Sequence, residues 1–241
     1  MKIKIIIPAR FNSSRFPGKP IKKILGLELV IRVANICAKV VGKNNVFIAT
    51  DDIKIIKVVN FYKFKYILTS RKCLTGTDRV AEASRKIYSD IYINVQGDEP
   101  LIKISDIKKV IEEKKKYLKH IICGYTKILS KLDYNNKNVP KVVFNNSREL
   151  LYASRALIPS SKNNKKNKLY NRQVCIYAFS RKELNLFSSF GGKSNLEKIE
   201  DIEILRFFEL GIKIKMVKTF SGSVAVDVPS DIKKVEQIIL K

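Results

Sequence analysis

The chain has 241 residues, 45% of them hydrophobic, and its 48 Lys and Arg residues outnumber 22 Asp and Glu residues, giving a formal charge of +26. This length and apolar content suffice for one good core, so we expect a single domain spanning residues 1–241. No run of about 18 apolar residues occurs, which argues against a membrane-spanning helix, and the stretch from Ile5 to Ile7 is too short for a signal-peptide core.

The basic residues do not by themselves predict a nucleic-acid-binding protein. Most are lysines scattered over predicted helix faces, and they lack the interleaved aromatic residues of a surface on which bases stack. A nonenzymatic polyanion binder is therefore a remote alternative. The four cysteines lack the C-x-x-C spacing of a zinc site, and the single histidine, His120, accompanies no Gly-x-Ser-x-Gly motif. We expect free thiols, no membrane partner and a cytoplasmic location.

The first half of the chain alternates between strand and helix patterns. Strands are predicted at Lys2 to Ile7, Asn45 to Thr50, Tyr66 to Leu68 and Ile91 to Val95. Helices are predicted at Leu29 to Val41, Ile53 to Tyr62, Arg79 to Ile87 and Ser105 to Lys119. This alternation is typical of a parallel sheet built from βαβ units, so the predicted fold class is α/β. We interpret Asp51 and Asp52, which directly follow a strand, as helix-capping residues.

The second half is less regular. Strands are predicted at Ile121 to Lys127, Lys141 to Phe144, Arg172 to Phe179 and Lys213 to Val217, with Leu150 to Ala153 as a candidate partner strand. One amphipathic helix is predicted at Ile199 to Leu210, ended by Gly211, and a last helix runs from about Ser230 to Ile239 with Ser230 as its cap. The segment from Ser160 to Lys168 is predicted to be a polar, low-complexity loop.

Three basic residues, Arg10, Arg15 and Lys19, lie on the loop after the first predicted strand. In open α/β sheets ligands bind beyond the carboxyl ends of the strands, where this loop would lie. Arginine offers a planar fork and lysine a mobile point charge, and both suit the several phosphates of a nucleoside triphosphate. The sequence therefore favours a triphosphate-binding loop over the simpler alternative, a solvated surface turn.

Two aspartates are candidate metal ligands. Asp98 follows the strand from Ile91 to Val95, beside Gly97, which permits close backbone approach. Mg²⁺ is usually held by one or two carboxylates together with substrate phosphates, so we expect a second acid from a distant part of the chain. Asp227, at the end of a short apolar stretch that we interpret as a strand, fits that role, whereas Asp231 is more simply a charge at a helix N-terminus.

Four sequence blocks, in this order, resemble a known family. They read Pro-Ala-Arg-x-x-Ser-x-Arg-x-Pro-Gly-Lys-Pro from Pro8, Thr-Gly-Thr-Asp-Arg from Thr75, Asn-Val-Gln-Gly-Asp-Glu-Pro from Asn94 and Val-Asp-x-Pro-x-Asp from Val226. The chain is thereby similar to the 3-deoxy-manno-octulosonate (Kdo) cytidylyltransferases, the CMP-Kdo synthetases. The resemblance implies a Rossmann-like nucleotide-diphospho-sugar transferase fold. It further implies a mixed, mostly parallel sheet flanked by helices, a small dimerisation subregion in the second half, and a homodimer.

The resemblance also implies a reaction. The anomeric hydroxyl of Kdo would attack the α-phosphorus of CTP to give CMP-Kdo and pyrophosphate, for lipopolysaccharide or capsule synthesis, with Mg²⁺ as cofactor. The partners would be CTP and an acid sugar, with no specific nucleic acid. Such nucleotidyl transfers depend more on positioning and charge neutralisation than on covalent catalysis.

The resemblance assigns roles to particular residues. The catalytic residues would be Arg10, Lys19, Asp98 and Asp227, the last two as metal ligands. The CTP site would comprise Ala9, Arg10, Arg15, Lys19, Thr75, Gly76 and Arg79. The acid sugar would be bound by Gln96, Arg155, Gln173, Tyr177 and Glu200. For Arg79, support of the loop or contact with phosphate are open alternatives, and Glu200 could instead belong to a solvated helix face.

One departure from the family concerns the sugar. The family usually has Arg-His-x-Gly-Ile-Tyr where this chain has a segment that begins at Arg172 and ends at Tyr177, with Gln173 in place of histidine and Cys175 in place of glycine. Glutamine keeps hydrogen bonding but cannot carry a charge. An alternative substrate is therefore a related acid sugar such as 8-amino-Kdo or another ulosonate.

Overall fold

The computed structural model describes residues 1–12, 15–129, 133–160, 170–220 and 224–241. Within them the strands are β1 (Ile3–Ala9), β2 (Lys23–Ile24), β3 (Leu27–Glu28), β4 (Val46–Thr50), β5 (Lys65–Leu68), β6 (Ile91–Val95), β7 (Ile121–Lys127), β8 (Lys141–Phe144), β9 (Leu150–Ser154), β10 (Asn171–Phe179) and β11 (Ile214–Lys218). The α-helices are α1 (Leu29–Val41), α2 (Ile53–Phe61), α3 (Gly76–Lys86), α4 (Ile104–Lys116), α5 (Arg181–Ser189), α6 (Asn195–Glu200), α7 (Ile204–Glu209) and α8 (Ser230–Ile239). Except for Ser160, the predicted polar loop from Ser160 to Lys168 lies outside the described residues.

The main sheet has the strand order β11-β7-β10-β6-β1-β4-β5. Strands β6, β1, β4 and β5 are mutually parallel, as are β7 and β11, whereas β10 runs antiparallel to both of its neighbours, β6 and β7. Strand β8 pairs with β10 and with β9, so the expected partner strand is present. The predicted α/β fold with a mixed, mostly parallel sheet is confirmed, and the dimerisation subregion stays a prediction.

The centre of the sheet is buried between two layers of helices. On β1, Ile5 and Ile7 belong to the core beneath α1, α2 and α4, while Ile6 belongs to the core beneath α3, α5 and α7. Successive side chains of a strand point to opposite faces, so this division follows from the pleat. Every residue of β6 is buried. Because both faces are covered, the central strands have mostly apolar sequences rather than alternating ones.

Most local predictions in the first half of the chain are confirmed. Helix α1 has the predicted bounds, and Asp52 caps α2 by accepting the Lys54 amide at 2.7 Å. Helix α3 begins earlier than predicted because Thr75 and Asp78 form a capping box before Arg79. No helix among the residues described here is long and apolar enough to cross a membrane.

The helical part of the second half differs from the prediction. The single helix predicted at Ile199 to Leu210 is wrong, because the backbone takes the left-handed conformation at Asp201 (φ 48°) and separates α6 from α7. Helix α5 was not predicted, although Ser180 and Glu183 form a capping box at its start. These differences from the predicted helices are local, and they leave the strand order unaffected.

The C-terminal segment also differs from the prediction. Ser230 is the first residue of α8 and makes no side-chain cap, so the predicted cap is wrong. Instead, the carboxylate of Asp231 accepts the backbone amides of Asp227 and Val228, each at 3.0 Å. The described residues 224–227 form no strand. Their apolar character has another cause, because Val226 is fully buried in a small cluster with side chains from α8 and the loop after β1.

Candidate active site

A cavity of about 690 Å³ opens at the carboxyl ends of β1 and β6. It lies where ligands of open α/β sheets are expected to bind. With one exception, the structure brings all the predicted site residues to this cavity, from segments throughout the chain. Those that line it are Ala9, Arg10, Arg15, Lys19, Thr75, Gly76, Arg79, Gln96, Asp98, Arg155, Gln173, Tyr177 and Asp227. The exception is Glu200.

The loop after β1 supplies the cations of one wall. Gly18 has a φ of 69°, a conformation that glycine adopts readily, and its amide donates to the Phe11 carbonyl at 2.9 Å to fold the loop back. Lys19 follows, and its ammonium donates to Asp98 Oδ2 at 2.6 Å and to the Val226 carbonyl at 2.8 Å. Arg10 is exposed on the same wall. The loop therefore presents positive charge to the cavity, as predicted.

Asp98 and Asp227 come together around Lys19. The Lys19 nitrogen lies 2.6 Å from Asp98 Oδ2 and 3.9 Å from Asp227 Oδ1, so these oxygens cannot be farther apart than the sum of those distances. Arg15 pairs with Asp227 at 3.3 Å. The backbones are also joined, because the Val226 amide donates to the Asp98 carbonyl at 2.9 Å. Two acids 129 positions apart in sequence thus share one small region of the cavity.

The chemistry of this pair fits a magnesium ion. Carboxylate oxygens are the hard ligands that Mg²⁺ prefers, and substrate phosphates usually complete its coordination. Among the described residues, no cluster of three or more His, Cys, Asp or Glu side chains is arranged to hold a metal. The two aspartates therefore suit a metal shared with a bound nucleotide, and their metal-binding role stays a prediction.

The N-terminus of α3 forms a second wall. Gly76 has no side chain, and a Cβ there would lie only 2.7 Å from the Gln96 amide nitrogen, so any larger residue at this position would displace the end of the Gln96 side chain. Arg79 reaches the cavity from the same helix. Its guanidinium donates to Thr69 Oγ1 at 2.5 Å and pairs with Asp51 at 3.1 Å. These contacts favour loop support, one of the alternatives for this residue.

The predicted sugar side is formed by β10 and by the end of β9. Gln173 and Tyr177 are both buried, and the glutamine amide donates to the tyrosine hydroxyl at 3.2 Å. Arg155 is held by backbone carbonyls of Lys137, Glu200 and Asp201, at 2.7, 2.5 and 2.8 Å. These bonds fix the plane of the guanidinium at the cavity wall.

Glu200 does not line the cavity, because its carboxylate is bound by β9. It accepts the Ser154 hydroxyl at 2.7 Å and the Arg155 amide at 2.8 Å. Its neighbour Glu197 does line the cavity but is fully buried against Arg206, at 2.6 Å. In this geometry Glu200 orients the segment that carries Arg155.

Arg206 connects helix α3 to helix α6. Its guanidinium, almost fully buried, contacts Glu197 on α6 and Asp78 on α3 at 2.6 and 2.8 Å, and it lies over the Phe187 ring at 3.7 Å from the centroid. One planar guanidinium thus holds α3, which carries predicted CTP-binding residues, against α6, which precedes the Asp201 break. The sequence analysis did not identify this residue, since nothing in its local pattern distinguishes it from a helix-surface arginine.

Glu203 is a further cavity residue that the sequence analysis missed. Its carboxylate accepts the Thr77 amide at 3.0 Å and the Gln96 side chain at 3.3 Å. Burial raises the pKa of this carboxyl above its usual value, and the nearby charge of Asp78 adds to the increase. The predicted continuous helix placed Glu203 among ordinary face positions, and only the break at Asp201 turns it toward the cavity.

Comparison with known proteins agrees with this geometry. The sequence profile of a family described as cytidylyltransferase matches residues 4–214. The chain is 35% identical, over 98% of its length and 98% of the relative's, to the 8-amino-3,8-dideoxy-manno-octulosonate cytidylyltransferase of Shewanella oneidensis. The corresponding enzyme of Shewanella baltica is 34% identical over the same shares of both chains.

Solved structures give the same result. The CMP:2-keto-3-deoxy-manno-octonic acid synthetase complexed with CTP superposes with a TM-score of 0.92 at 33% identity, covering 100% of this chain and 99% of that one. The inositol-1-phosphate CTP transferase of T. maritima, at 17% identity and a TM-score of 0.71, shares the fold. The chain therefore belongs to the cytidylyltransferase family, as a nucleotidyltransferase of the kind that joins a cytidine nucleotide to an acid sugar.

Proposed function

We propose that this enzyme transfers CMP from CTP to 8-amino-3,8-dideoxy-manno-octulosonate. The observation that carries this choice is the 35% identity over nearly the whole chain to enzymes named for that substrate. Gln173, where the family usually has histidine, is consistent with a sugar pocket that differs from the Kdo pocket. The second candidate substrate is Kdo itself, supported by the 0.92 TM-score to a synthetase of the Kdo nucleotide.

In the proposed reaction the anomeric hydroxyl of the sugar attacks the α-phosphorus of CTP. A new oxygen–phosphorus bond forms, the bond to the β-phosphate oxygen breaks, and pyrophosphate leaves. Arg10, Arg15 and Lys19 line the cavity. In this proposal they bind the triphosphate and offset the charge of the leaving pyrophosphate. Their flexible cationic side chains can follow the phosphates as they separate.

Asp98 and Asp227 are the residues that would hold Mg²⁺. Bound there, the ion would neutralise phosphate charge and lower the pKa of the sugar hydroxyl. The ammonium of Lys19 contacts Asp98 and lies near Asp227, so its positive charge helps to keep the two carboxylates close together. Because the ion would lower the pKa of the sugar hydroxyl, the proposal needs no histidine base, and none of the described residues that line the cavity is a histidine.

The test is product analysis with purified enzyme, CTP, Mg²⁺ and each sugar separately. Pyrophosphate release gives the rate, and mass spectrometry of the nucleotide sugar gives the product. We expect kcat/KM to be at least about tenfold higher with 8-amino-Kdo than with Kdo, the effect of one charge-assisted contact. A preference for Kdo would select the second candidate. The homodimer stays a prediction from the resemblance, and the cytoplasmic location stays a prediction from the sequence.

A further inference from the structure

Among the described residues, Lys114 and Lys141 are lysines with no exposed surface, and their partners differ. The ammonium of Lys114 lies 2.8 Å from both carboxylate oxygens of Glu183, and it also donates to two backbone carbonyls. The ammonium of Lys141 forms no ion pair within the described part of the chain. It donates instead to the backbone carbonyls of Asn136, Val139 and Arg155, at 2.8, 2.9 and 2.9 Å.

A buried ammonium without a carboxylate is energetically unfavourable, because burial disfavours the charge. Burial accordingly lowers the pKa of Lys141, and the nearby charge of Arg155 adds to the decrease. Three carbonyl oxygens match the three donors of an ammonium, so the hydrogen-bonding capacity of Lys141 is fully used. The segments that those three carbonyls belong to therefore indicate what this side chain does.

The three carbonyls belong to two segments that meet at Arg155. Residues 136–139 form a turn before β8, and Arg155 directly follows the end of β9. Lys141 pairs with Ser154 in the β8–β9 ladder, which places it between the two segments. The Arg155 guanidinium itself donates to the Lys137 carbonyl of the turn at 2.7 Å. Lys141 thus fixes the main chain of Arg155 relative to a turn that binds the guanidinium.

The turn is part of the cavity wall. Lys137, Asn138 and Pro140 line the cavity together with Arg155. The Pro140 carbonyl accepts the Gln173 amide at 2.9 Å, so the backbone beside Lys141 also contacts a second predicted sugar-binding residue. Lys141 is not among the residues that line the cavity, so any effect that it has on a bound substrate passes through these neighbours.

We infer that Lys141 is a positioning residue, whose ammonium joins the turn at 136–139 to the end of β9 and so holds the Arg155 guanidinium in the orientation that binds the acid sugar. The inference rests on the proposed function, since Arg155 is predicted to bind the sugar. Mispositioning of a binding group by a small distance can lower the rate of an enzyme strongly, although the altered residue touches no substrate.

The experiment compares Lys141→Met with the wild type, with CTP and the sugar varied in turn. The sugar is whichever of the two candidates the wild type prefers. Methionine has a similar length and removes all three donors. We expect kcat/KM for the sugar to fall about tenfold, because the guanidinium is no longer held in one orientation, and the KM for CTP to change by less than about twofold.

The matched control is Lys114→Met, which removes the other fully buried lysine. Neither Lys114 nor Glu183 lines the cavity. The control should lose stability, as Lys141→Met does, but keep both kinetic constants within about twofold of the wild type. An equal loss of sugar use in the two variants, or an equal loss of sugar and CTP use in Lys141→Met, would reduce Lys141 to a residue that only stabilises the fold.

A double-mutant cycle tests whether Lys141 acts through Arg155. Arg155→Met alone should lower kcat/KM for the sugar by more than Lys141→Met does, because it removes the binding group itself. In the Arg155→Met background, Lys141→Met should cause no further loss. A loss of the same size in both backgrounds would overturn the inference, because Lys141 would then act on another part of the site.

Hydrogen–deuterium exchange supplies a measurement that does not depend on turnover. The amides of residues 136–139 should exchange at least about threefold faster in Lys141→Met than in the wild type or in Lys114→Met. Unchanged exchange there would show that the turn does not need the ammonium, and it would overturn the inference.

If Lys141→Met does not fold, Lys141→Gln serves instead. Glutamine is shorter and neutral and keeps two N–H donors, so it should give the same difference between sugar and CTP use, and an unaltered kcat/KM for the sugar would reject the inference. Failure of the proposed function has a different signature, because it would appear in the wild type as a preference for Kdo before any substitution is made. The comparison of sugar and CTP use is then made with Kdo.

Discussion

The ammonium of Lys19 donates a 2.6 Å hydrogen bond to Asp98, although 79 positions separate the two residues in the chain. The same nitrogen lies 3.9 Å from Asp227. Two carboxylates held so close repel each other, and the lysine charge between them offsets that repulsion. The cation from the first loop and the two acids therefore behave as one electrostatic unit, and a change in any member should affect the others.

Asp98→Asn and Asp227→Asn should each lower kcat by at least about 100-fold, because each removes one of two anionic groups proposed to hold Mg²⁺. Pyrophosphate release measures the rate. Titration with Mn²⁺, followed by electron paramagnetic resonance, should show weaker metal binding in both variants without dependence on turnover. The exposed Glu112 on α4 gives the control, Glu112→Gln, which should match the wild type. Full activity or unaltered Mn²⁺ binding in either aspartate variant would remove the metal assignment.

Lys19→Met should raise the KM for CTP by about tenfold or more and leave the KM for the sugar nearly unchanged, because the ammonium is proposed to bind phosphate. Lys19→Arg keeps the charge and should retain more of the CTP affinity. Steady-state kinetics with each substrate varied in turn distinguish the two constants. A defect confined to the sugar would contradict the role of the loop after β1.

Gly76→Ala should impair sugar use while leaving stability almost unchanged. The new Cβ would lie 2.7 Å from the Gln96 amide nitrogen, the far end of a side chain that can move away at little cost. That movement would break the contact between Gln96 and Glu203. We expect a higher KM for the sugar and a change in unfolding free energy below about 1 kcal/mol. In a Gln96→Ala background the same substitution should have no further effect on KM, and an additive loss there would reject the mechanism.

The sequence predicted the sheet better than it predicted the helices around the sugar wall. Strands such as β1 and β6 are mostly apolar segments with clear ends, so their local pattern is sufficient. The break at Asp201 is different, because the residues on both sides of it favour a helix. Burial of Ile202 and the engagement of the Glu200 carboxylate by β9 stabilise the break, and neither contact can be read from a local period.

In the site, too, some features could be predicted from local sequence and others depend on contacts between distant segments. The basic loop and Asp98 could be proposed from the residues themselves, since each follows a strand. Their meeting with Asp227 was expected from the family resemblance, and the structure supplies the contacts that produce it. Glu203 and Arg206 escaped prediction because their roles depend on partners in α3, far away in the sequence.

Arg206→Met should destabilise the protein by about 3–5 kcal/mol, since it leaves the buried carboxylate of Glu197 and the partly buried carboxylate of Asp78 without their cation. Urea denaturation measures the change. The control is Lys115→Met, which removes an exposed ion pair with Glu112 and should alter stability by less than about 1 kcal/mol. A loss below about 1 kcal/mol in Arg206→Met would show that solvent or a neighbouring cation replaces the guanidinium.

Cys73, which lines the cavity, should react slowly with iodoacetamide at pH 8. Burial raises its pKa to about 11, and the hydrogen bond and charge of Glu82 contribute. Alkylation requires the thiolate, which at pH 8 would be about one part in a thousand of this cysteine, so the rate should rise steeply as the pH approaches 11.

Glu82→Gln tests the cause of the Cys73 shift, because it removes the negative charge while keeping the side-chain length. We expect several-fold faster labelling of Cys73 at pH 8, followed by mass spectrometry of the modified peptide. The matched control, Glu112→Gln, removes an acid far from the thiol and should not change the rate. Equal labelling of the wild type and Glu82→Gln would mean that burial alone sets the pKa of Cys73, and rapid labelling of the wild type at pH 8 would contradict the raised pKa itself.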